Sequence, residues 1–382
     1  MMIFRFPITP FLLVSLLTIP RALTQSYIFM AIPSLMDSLN LTEIESQSII
    51  PSLLLGAIIF LIPAGKLGDL FGPKKMLIIS TWVYVFVSFI AAFCTSGYLL
   101  LITLFFLGAA SAFSMTQGST YVSEIYPLEI RGRVIGAFAG FITLIFFLGP
   151  VIGGDIAQTG QIAVFLANIP FLLLGLCFSK FLPVLHKEPQ KDLKIEYKEF
   201  LNGYFISHCS ISLFWQAIIS LLIFFPVEYQ IYLGLTPFEA GIRFSLLALP
   251  FPIFSPVAGW IFDRVGSRIP YSIGYVSLFF AWFIGYKGYS SESIVALAFA
   301  LAFVLPVTAT ASWGLFKQAN RCTANSIYYL LRFVGSFIGS AVAGFFLVIE
   351  NVDFDFFFLN LSVALVFGLL SLPAFVYTLQ KR

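Results

Sequence analysis

The sequence predicts an all-α membrane protein in which twelve transmembrane helices form two pseudo-symmetric bundles of six, and three observations carry that expectation. Of the 382 residues, 59% are hydrophobic and 10% charged, with a mean hydropathy of +0.98. So few charges cannot clothe a water-facing surface of this size. The apolar residues gather into twelve windows, each near the roughly 20 residues a helix needs to cross the hydrocarbon layer. A short charged pattern after the second window returns after the eighth. Because lipid offers no hydrogen bonds, each window must satisfy its own backbone groups, which a helix does alone.

The first window, residues 11–35, follows Arg5 and has the look of a secretory signal, but the apolar character resumes after Arg21 as SYIFMAIPSLM, so an uncleaved first helix is expected. Windows at 48–67, 76–94, 98–122, 134–156 and 162–182 complete the first set. The fifth carries Gly149, Pro150, Gly153 and Gly154, residues that bend a helix and admit a close neighbour. A polar connection, HKEPQKDLKIEYKEF at 186–200, divides the chain into a first bundle (1–182), a cytoplasmic linker (183–203) and a second bundle (204–382). The second set occupies 204–227, 241–262, 270–286, 293–313, 324–349 and 356–378, and Pro250, Pro252 and Pro256 predict a bend or local unwinding in its second member. Cys94, Cys177, Cys209 and Cys322 lack paired or metal-ligand spacing and are expected to be buried small residues.

Basic residues orient these spans, since short cytoplasmic loops hold an excess of Lys and Arg. With both termini inside a cell membrane, 17 of the 21 Lys and Arg residues fall on the cytoplasmic side, and only Lys287 in an outer loop. The net charge of +3 therefore reflects topology and not a nucleic-acid partner.

The repeated pattern is GKLGDLFGPKK at 65–75 and GWIFDRVGSR at 259–268. Gly65, Asp69, Gly72 and Lys74 match Gly259, Asp263, Gly266 and Arg268 at a constant offset of 194, with Lys75 and Arg264 adding charge to either copy. Glycines permit sharp turns and close helix contacts. An aspartate at a helix end is stabilised by the positive N-terminus of another helix, here expected to be span 11 near Ala324 and Asn325, while Lys74 or Lys75 meets Glu124. Matched halves that latch and release on one side are the design of a secondary transporter.

GKLGDLFGPKKML resembles the signature loop of the major facilitator superfamily, G-x-L-x-D-x-x-G-x-K-x-x-L. SEIYPLEIRGRVIG (123–136) is similar to that family's loop between spans 4 and 5, which adds Arg131 to the latch residues, and GPVIGG (149–154) resembles its span 5 antiporter motif. FLANIPF (165–171), EYQIYLGLTPFEAG (228–241) and RFVGSFIGSAVAG (332–344) look most like the multidrug proton antiporters of the EmrB/QacA-like branch. The resemblance implies a major facilitator fold and proton-driven efflux of a drug or metabolite, a small-molecule substrate, across the lipid bilayer; a monomer without a cofactor is expected. Three positions depart from the family's pattern: Ile145 replaces a glycine, the family's span 4 arginine is absent from its place near Leu104, and Thr24 takes the place of a span 1 aspartate.

Substrate or coupling candidates are the polar and aromatic residues within or beside the spans: Arg21, Thr24, Gln25, Gln117, His208, Gln216, Glu228, Trp313 and Arg332. A charge inside a span must face water, a partner or a substrate. Arginines with little fixed acid favour an anionic or neutral polar substrate, so an importer or facilitator of an organic anion stands beside the exporter, and a non-transporting receptor of the same fold stands apart from both. Neither HExxH nor GxSxG occurs, and no GxxxxGK[ST], so the sequence points away from an enzyme and from direct ATP drive.

Overall fold

The computed structural model describes residues 8–158, 160–183, 200–222, 239, 242, 250–287, 290–313, 315–316, 320–348 and 356–380. Every regular element among them is a helix. These are α1 (Ile8–Leu39), α2 (Glu43–Phe71), α3 (Pro73–Ala92), α4 (Gly97–Ile125), α5 (Leu128–Gln158), α6 (Gln161–Leu166), α7 (Ile169–Phe178), α8 (Gly203–Leu222), α9 (Pro250–Val265), α10 (Arg268–Tyr286), α11 (Ser290–Trp313), α12 (Arg321–Val348) and α13 (Phe356–Gln380), with a short 3₁₀ turn at Ser179–Phe181. The described part of each apolar window falls in a helix or, at 162–182, in a pair. Eight of the described helical segments are long and apolar enough to cross a membrane.

Local chemistry sets the boundaries. Thr42 caps α2 by accepting from the Glu45 N–H, while Glu45 returns a bond to the Thr42 N–H at 2.9 Å, a reciprocal capping box. Ser96 caps α4 through the Leu99 N–H. Between α2 and α3 the chain turns at Gly72, whose φ of 85° suits glycine, and Pro73 opens α3. The window at 162–182, expected as one span, is one apolar segment, Gln161–Phe181, long enough to cross a membrane, and its helix is interrupted at Ala167 and Asn168. Pro170 explains the break, since its ring lacks the N–H that would bond the residue 166 carbonyl and crowds that carbonyl. Helix α9 runs unbroken from Pro250 through Pro256 to Val265, and residues 243–249 lie outside the described residues. Helix α5 likewise continues through Gly149, Pro150, Gly153 and Gly154.

The helices form two compact units assembled from separate pieces of chain. The first gathers Met1–Pro127, Leu148–Ile195 and Phe316–Ile327, and the second Leu128–Phe147, Glu196–Leu315 and Tyr328–Arg382. In the first, Ile28, Leu35, Tyr84, Leu104 and Phe165 anchor the apolar core; in the second, Trp215, Phe251, Leu278, Leu301 and Phe367 do so. Cys94, Cys209 and Cys322 are buried, but Cys177 is exposed on α7, correcting the expectation that all four are interior. A thiol is apolar enough to sit on the outer face of a membrane helix, so hydropathy alone does not turn it inward.

Small residues bring the helices together, as they must where lipid removes most of the hydrophobic drive for association. In the first unit, a Cβ on Gly56 would lie 1.9 Å from the Phe105 carbonyl oxygen, and one on Gly108 would lie 1.9 Å from that of Leu53. In the second unit, Gly132, Gly136 and Gly140, spaced by four on α5, face α9 backbone or side-chain atoms at 2.3 to 2.5 Å from the same construction, and Gly335 and Gly339 on α12 face Leu213 and Ala217 oxygens of α8 at 2.1 and 2.2 Å. Backbone cannot yield as a side chain does. Gly108→Val is therefore expected to destabilise the first unit by about 1–3 kcal/mol, seen as a lower melting temperature in detergent, and unchanged melting would show that α2 and α4 do not meet there.

Candidate functional site

In the first unit Asp69, in the last turn of α2, meets a helix start. The Asp69 carboxylate accepts from the Cys322 N–H at 2.9 Å, the Thr323 N–H at 2.8 Å and the Thr323 hydroxyl at 2.6 Å. The two amides are among the first of α12, where no carbonyl of the same helix is available to them. Anionic acceptor and positive helix end reinforce one another. Asp69 is 1% exposed, so little water competes. Gly65, one turn earlier on α2, makes the approach possible: a Cβ there would stand 2.5 Å from Ser326 Oγ and 2.7 Å from Thr323 Cα. Asn325 adds three bonds to α4, to Thr116 O and Ser119 Oγ at 2.8 Å and Thr120 Oγ1 at 2.9 Å.

The second unit repeats this chemistry with different partners. The Asp263 carboxylate accepts from the Gly132 N–H at 2.9 Å and the Arg133 N–H at 3.1 Å, in the second turn of α5. Gly259 lets the helices touch, since its Cβ would fall 2.1 Å from the Gly132 oxygen. Gly266 turns the chain with φ 77°, as Gly72 does with 85°. Matched glycines thus do matched work in both copies. The copies differ in their surroundings: Asp263 is only half-buried and borders a cavity of about 250 Å³ lined by Arg131, Tyr204, Phe262, Thr310, Ala311 and Leu315.

The basic residues of the two loops meet opposite helix ends. Lys74 donates to the Leu182 carbonyl just past the 3₁₀ turn that follows α7, and Arg268 donates to the Leu379 carbonyl in the last turn of α13. Cations satisfy the unpaired carbonyls and negative dipole of a helix C-terminus. The expected Lys74–Glu124 contact is thus replaced by a carbonyl contact, while Lys75 lies over the Phe71 ring at 5.4 Å and Arg264 over Trp260 at 4.1 Å. Glu124 is half-buried at the end of α4, where Tyr121 donates to the Pro183 carbonyl at 2.5 Å.

Within the spans the candidates separate. Arg21 is 2% exposed; it donates to Ser80 Oγ at 3.4 Å, to Ala110 O at 3.1 Å and to Thr81 Oγ1, beneath the Tyr84 ring. Gln117 is buried and donates to Ala64 O at 2.7 Å, tying α4 to α2. His208 is buried, and its Nδ1 shares a 2.5 Å hydrogen bond with the Tyr271 hydroxyl. Gln216 and Arg332 are half-buried and joined: Arg332 donates from Nε (2.9 Å) and Nη2 to Gln216 Oε1. The side chains of Thr24, Gln25 and Trp313, and Glu228 as a whole, lie outside the described residues.

The architecture and both loops now meet the wider comparison. The family model of the Major Facilitator Superfamily matches residues 14–284 and 200–382. The chain belongs to this superfamily. It is 25% identical over 332 residues to an uncharacterized superfamily transporter of Methanocaldococcus jannaschii, covering 81% of this chain and 83% of that one. It is 29% identical over 119 residues to an efflux pump of Dothistroma septosporum, a match of 30% of this chain and 20% of the pump. Its fold is shared with the human organic anion transporter MFSD10 at a TM-score of 0.76 and 13% identity, covering 97% of this chain and 99% of that one. The superfamily fold and the sequence thus agree on an all-helical, multi-pass membrane transporter.

Several contacts in this superfamily member had no separate signal in the sequence. Thr323, Asn325, Thr116, Ser119 and Thr120 are small polar residues scattered in apolar spans, and only the folded arrangement joins them. The visible trace is the run CTANS at 322–326, polar where span 11 should be greasy.

The two loops lead to separable outcomes. Cys322 is fully buried at the Asp69 contact while Cys177 is exposed, so maleimide labelling reports the first contact with a built-in control. Asp69→Asn removes charge-assisted bonds, each class of which contributes about 1.5–3 kcal/mol, and is expected to speed Cys322 labelling by about tenfold or more with Cys177 unchanged; equal rates would show that the carboxylate does not hold the helix start. Asp263 lies just past the 241–262 window, and burial pushes its carboxyl up to about 6, against the Arg133 and Gly132 N–H bonds and the Arg133 and Arg131 charges. Because an exposed carboxyl titrates near 3.9, the closed contact binds a proton more tightly than the open one, so it is favoured as pH falls from about 6 toward 4 and loses that advantage above 6. Spin labels at Glu129→Cys and Val265→Cys should report a growing short-distance population on acidification, and Asp263→Asn should flatten that response.

Proposed function

We propose that this chain is a secondary transporter working by alternating access, which exports small amphiphilic compounds or metabolites across the cell membrane in exchange for protons, with both termini cytoplasmic. The observation that carries this reading is the twin latch. In each repeat an aspartate near the end of a helix accepts from backbone amides of a helix from the other half of the sequence, Asp69 from the first turn of α12 and Asp263 from the second turn of α5. Such bonds are strong when closed, yet each carboxylate and amide can be satisfied by water when open, so the contact is suited to repeated making and breaking. Export is supported by the partial match to an efflux pump and by the likeness of residues 165–171, 228–241 and 332–344 to the EmrB/QacA-like branch. The lysine and arginine excess supports the orientation.

A second reading, an importer or facilitator of an organic anion, is favoured by the arginine within α12 and by the shared fold with a protein described as an organic anion transporter. Proteoliposome flux separates the two. A panel of amphiphilic dyes and metabolites should accumulate against their gradients only when a pH gradient is imposed, and a protonophore should abolish the accumulation. Equilibrative flux indifferent to pH would remove proton exchange and leave a facilitator; no flux for any compound would remove transport itself.

A further inference from the structure

Helix α12 carries one arginine deep in its apolar run. Arg332 is the twelfth of 28 residues, about 16 Å from the helix start at 1.5 Å per residue, close to mid-span. The contacts around it are neutral. Gln216 Oε1 takes the Nε and Nη2 hydrogens along one edge of the guanidinium, and the rings of Tyr328 and Tyr329 stand 5.8 and 5.6 Å from its centre. Among the described residues Nη1 has no hydrogen-bond partner, and the side chain is only half-buried.

We propose that Arg332 recognises the carboxylate of an organic anion, with Gln216 as the residue that positions it. The proposal rests on the transport reading above and names the substrate class. The guanidinium has five N–H groups in a rigid fork. Two are taken by Gln216, and the outer edge formed by Nη1 and the second Nη2 hydrogen remains, with the geometry that pairs with two carboxylate oxygens. Gln216 is itself fixed, because its amide nitrogen donates to Ser336 Oγ at 3.1 Å and its oxygen must therefore face the arginine. Gly335 and Gly339 press α12 against the Leu213 and Ala217 carbonyls of α8, on either side of Gln216, so the two helices have little freedom to slide. A carboxylate in place of Gln216 would cancel the charge inside the protein. A neutral amide steers the guanidinium and leaves its charge for a ligand, which selects by charge as well as shape.

The test uses purified protein in detergent and a panel of aromatic and aliphatic carboxylates, each paired with its own amide, with binding read from the rise in melting temperature across a titration. Wild type is expected to bind at least one carboxylate about tenfold or more tightly than its amide. Arg332→Gln should erase that preference, and Arg332→Lys should keep only part of it. Gln216→Glu should erase it as well, although the arginine remains and melting without ligand is held or raised by the new internal pair. A carboxylate preference that survives Arg332→Gln, or no such preference in wild type, overturns the proposal. Parallel flux measurements keep the two readings apart: carboxylate binding without flux would sink transport and leave Arg332 standing, whereas flux with no carboxylate preference would sink the role of Arg332 alone.

Discussion

A peptide helix ends in groups it cannot satisfy itself, amides at its start and carbonyls at its finish, and inside a membrane protein water is not always there to help. Both repeated stretches supply partners near helix ends. Asp69 accepts from amides at the start of α12, Asp263 accepts from amides one turn further into α5, and Lys74 and Arg268 donate to helix finishes. One loop of about ten residues therefore ties together the ends of two helices that are distant in sequence. The glycines of the pattern are subordinate to this: Gly65 and Gly259 let the helix starts come close, and Gly72 and Gly266 supply the turn that separates acid from base.

The copies share this logic without sharing its strength. Asp69 is sealed, with a threonine hydroxyl as third donor and Asn325 fastening the same helix turn to α4. Asp263 has two amide donors, more exposure and a cavity beside it. A contact with fewer donors and nearer water is easier to open. The two repeated stretches thus make corresponding contacts, and the side chains around them make the two unequal.

How much of this was legible depends on range. Twelve apolar windows and a motif repeated at constant offset are local signals, and the helical class follows from them because hydrocarbon permits so few backbone solutions. Asp69 was assigned a helix start near Ala324 and Asn325, and the amides it meets are those of Cys322 and Thr323, because α12 begins at Arg321. The lysine was harder. Its partner is a backbone carbonyl at Leu182, and every residue has a carbonyl, so no side chain in the sequence advertises it. The break at Ala167 and Asn168 was missed because hydropathy does not register a single proline, Pro170, when apolar residues continue past it.

Two arginines placed in spans by the same reasoning show why a residue type alone does not assign a role. An arginine at the centre of a membrane helix costs about 2.5–3.5 kcal/mol on insertion scales, and something must offset that. For Arg21 the offset is internal: hydroxyls of Ser80 and Thr81, the Ala110 carbonyl and the face of Tyr84 surround a group that is 2% exposed. Neutral hydrogen-bonding groups on two other helices, α3 and α4, are enough, and the guanidinium serves as a brace within the first unit. Around Arg332 a single amide oxygen and two rings do the same only along one edge. The difference lies in how many helices reach the charge, which is a property of packing, and it is what separates a brace from a group still able to receive a ligand.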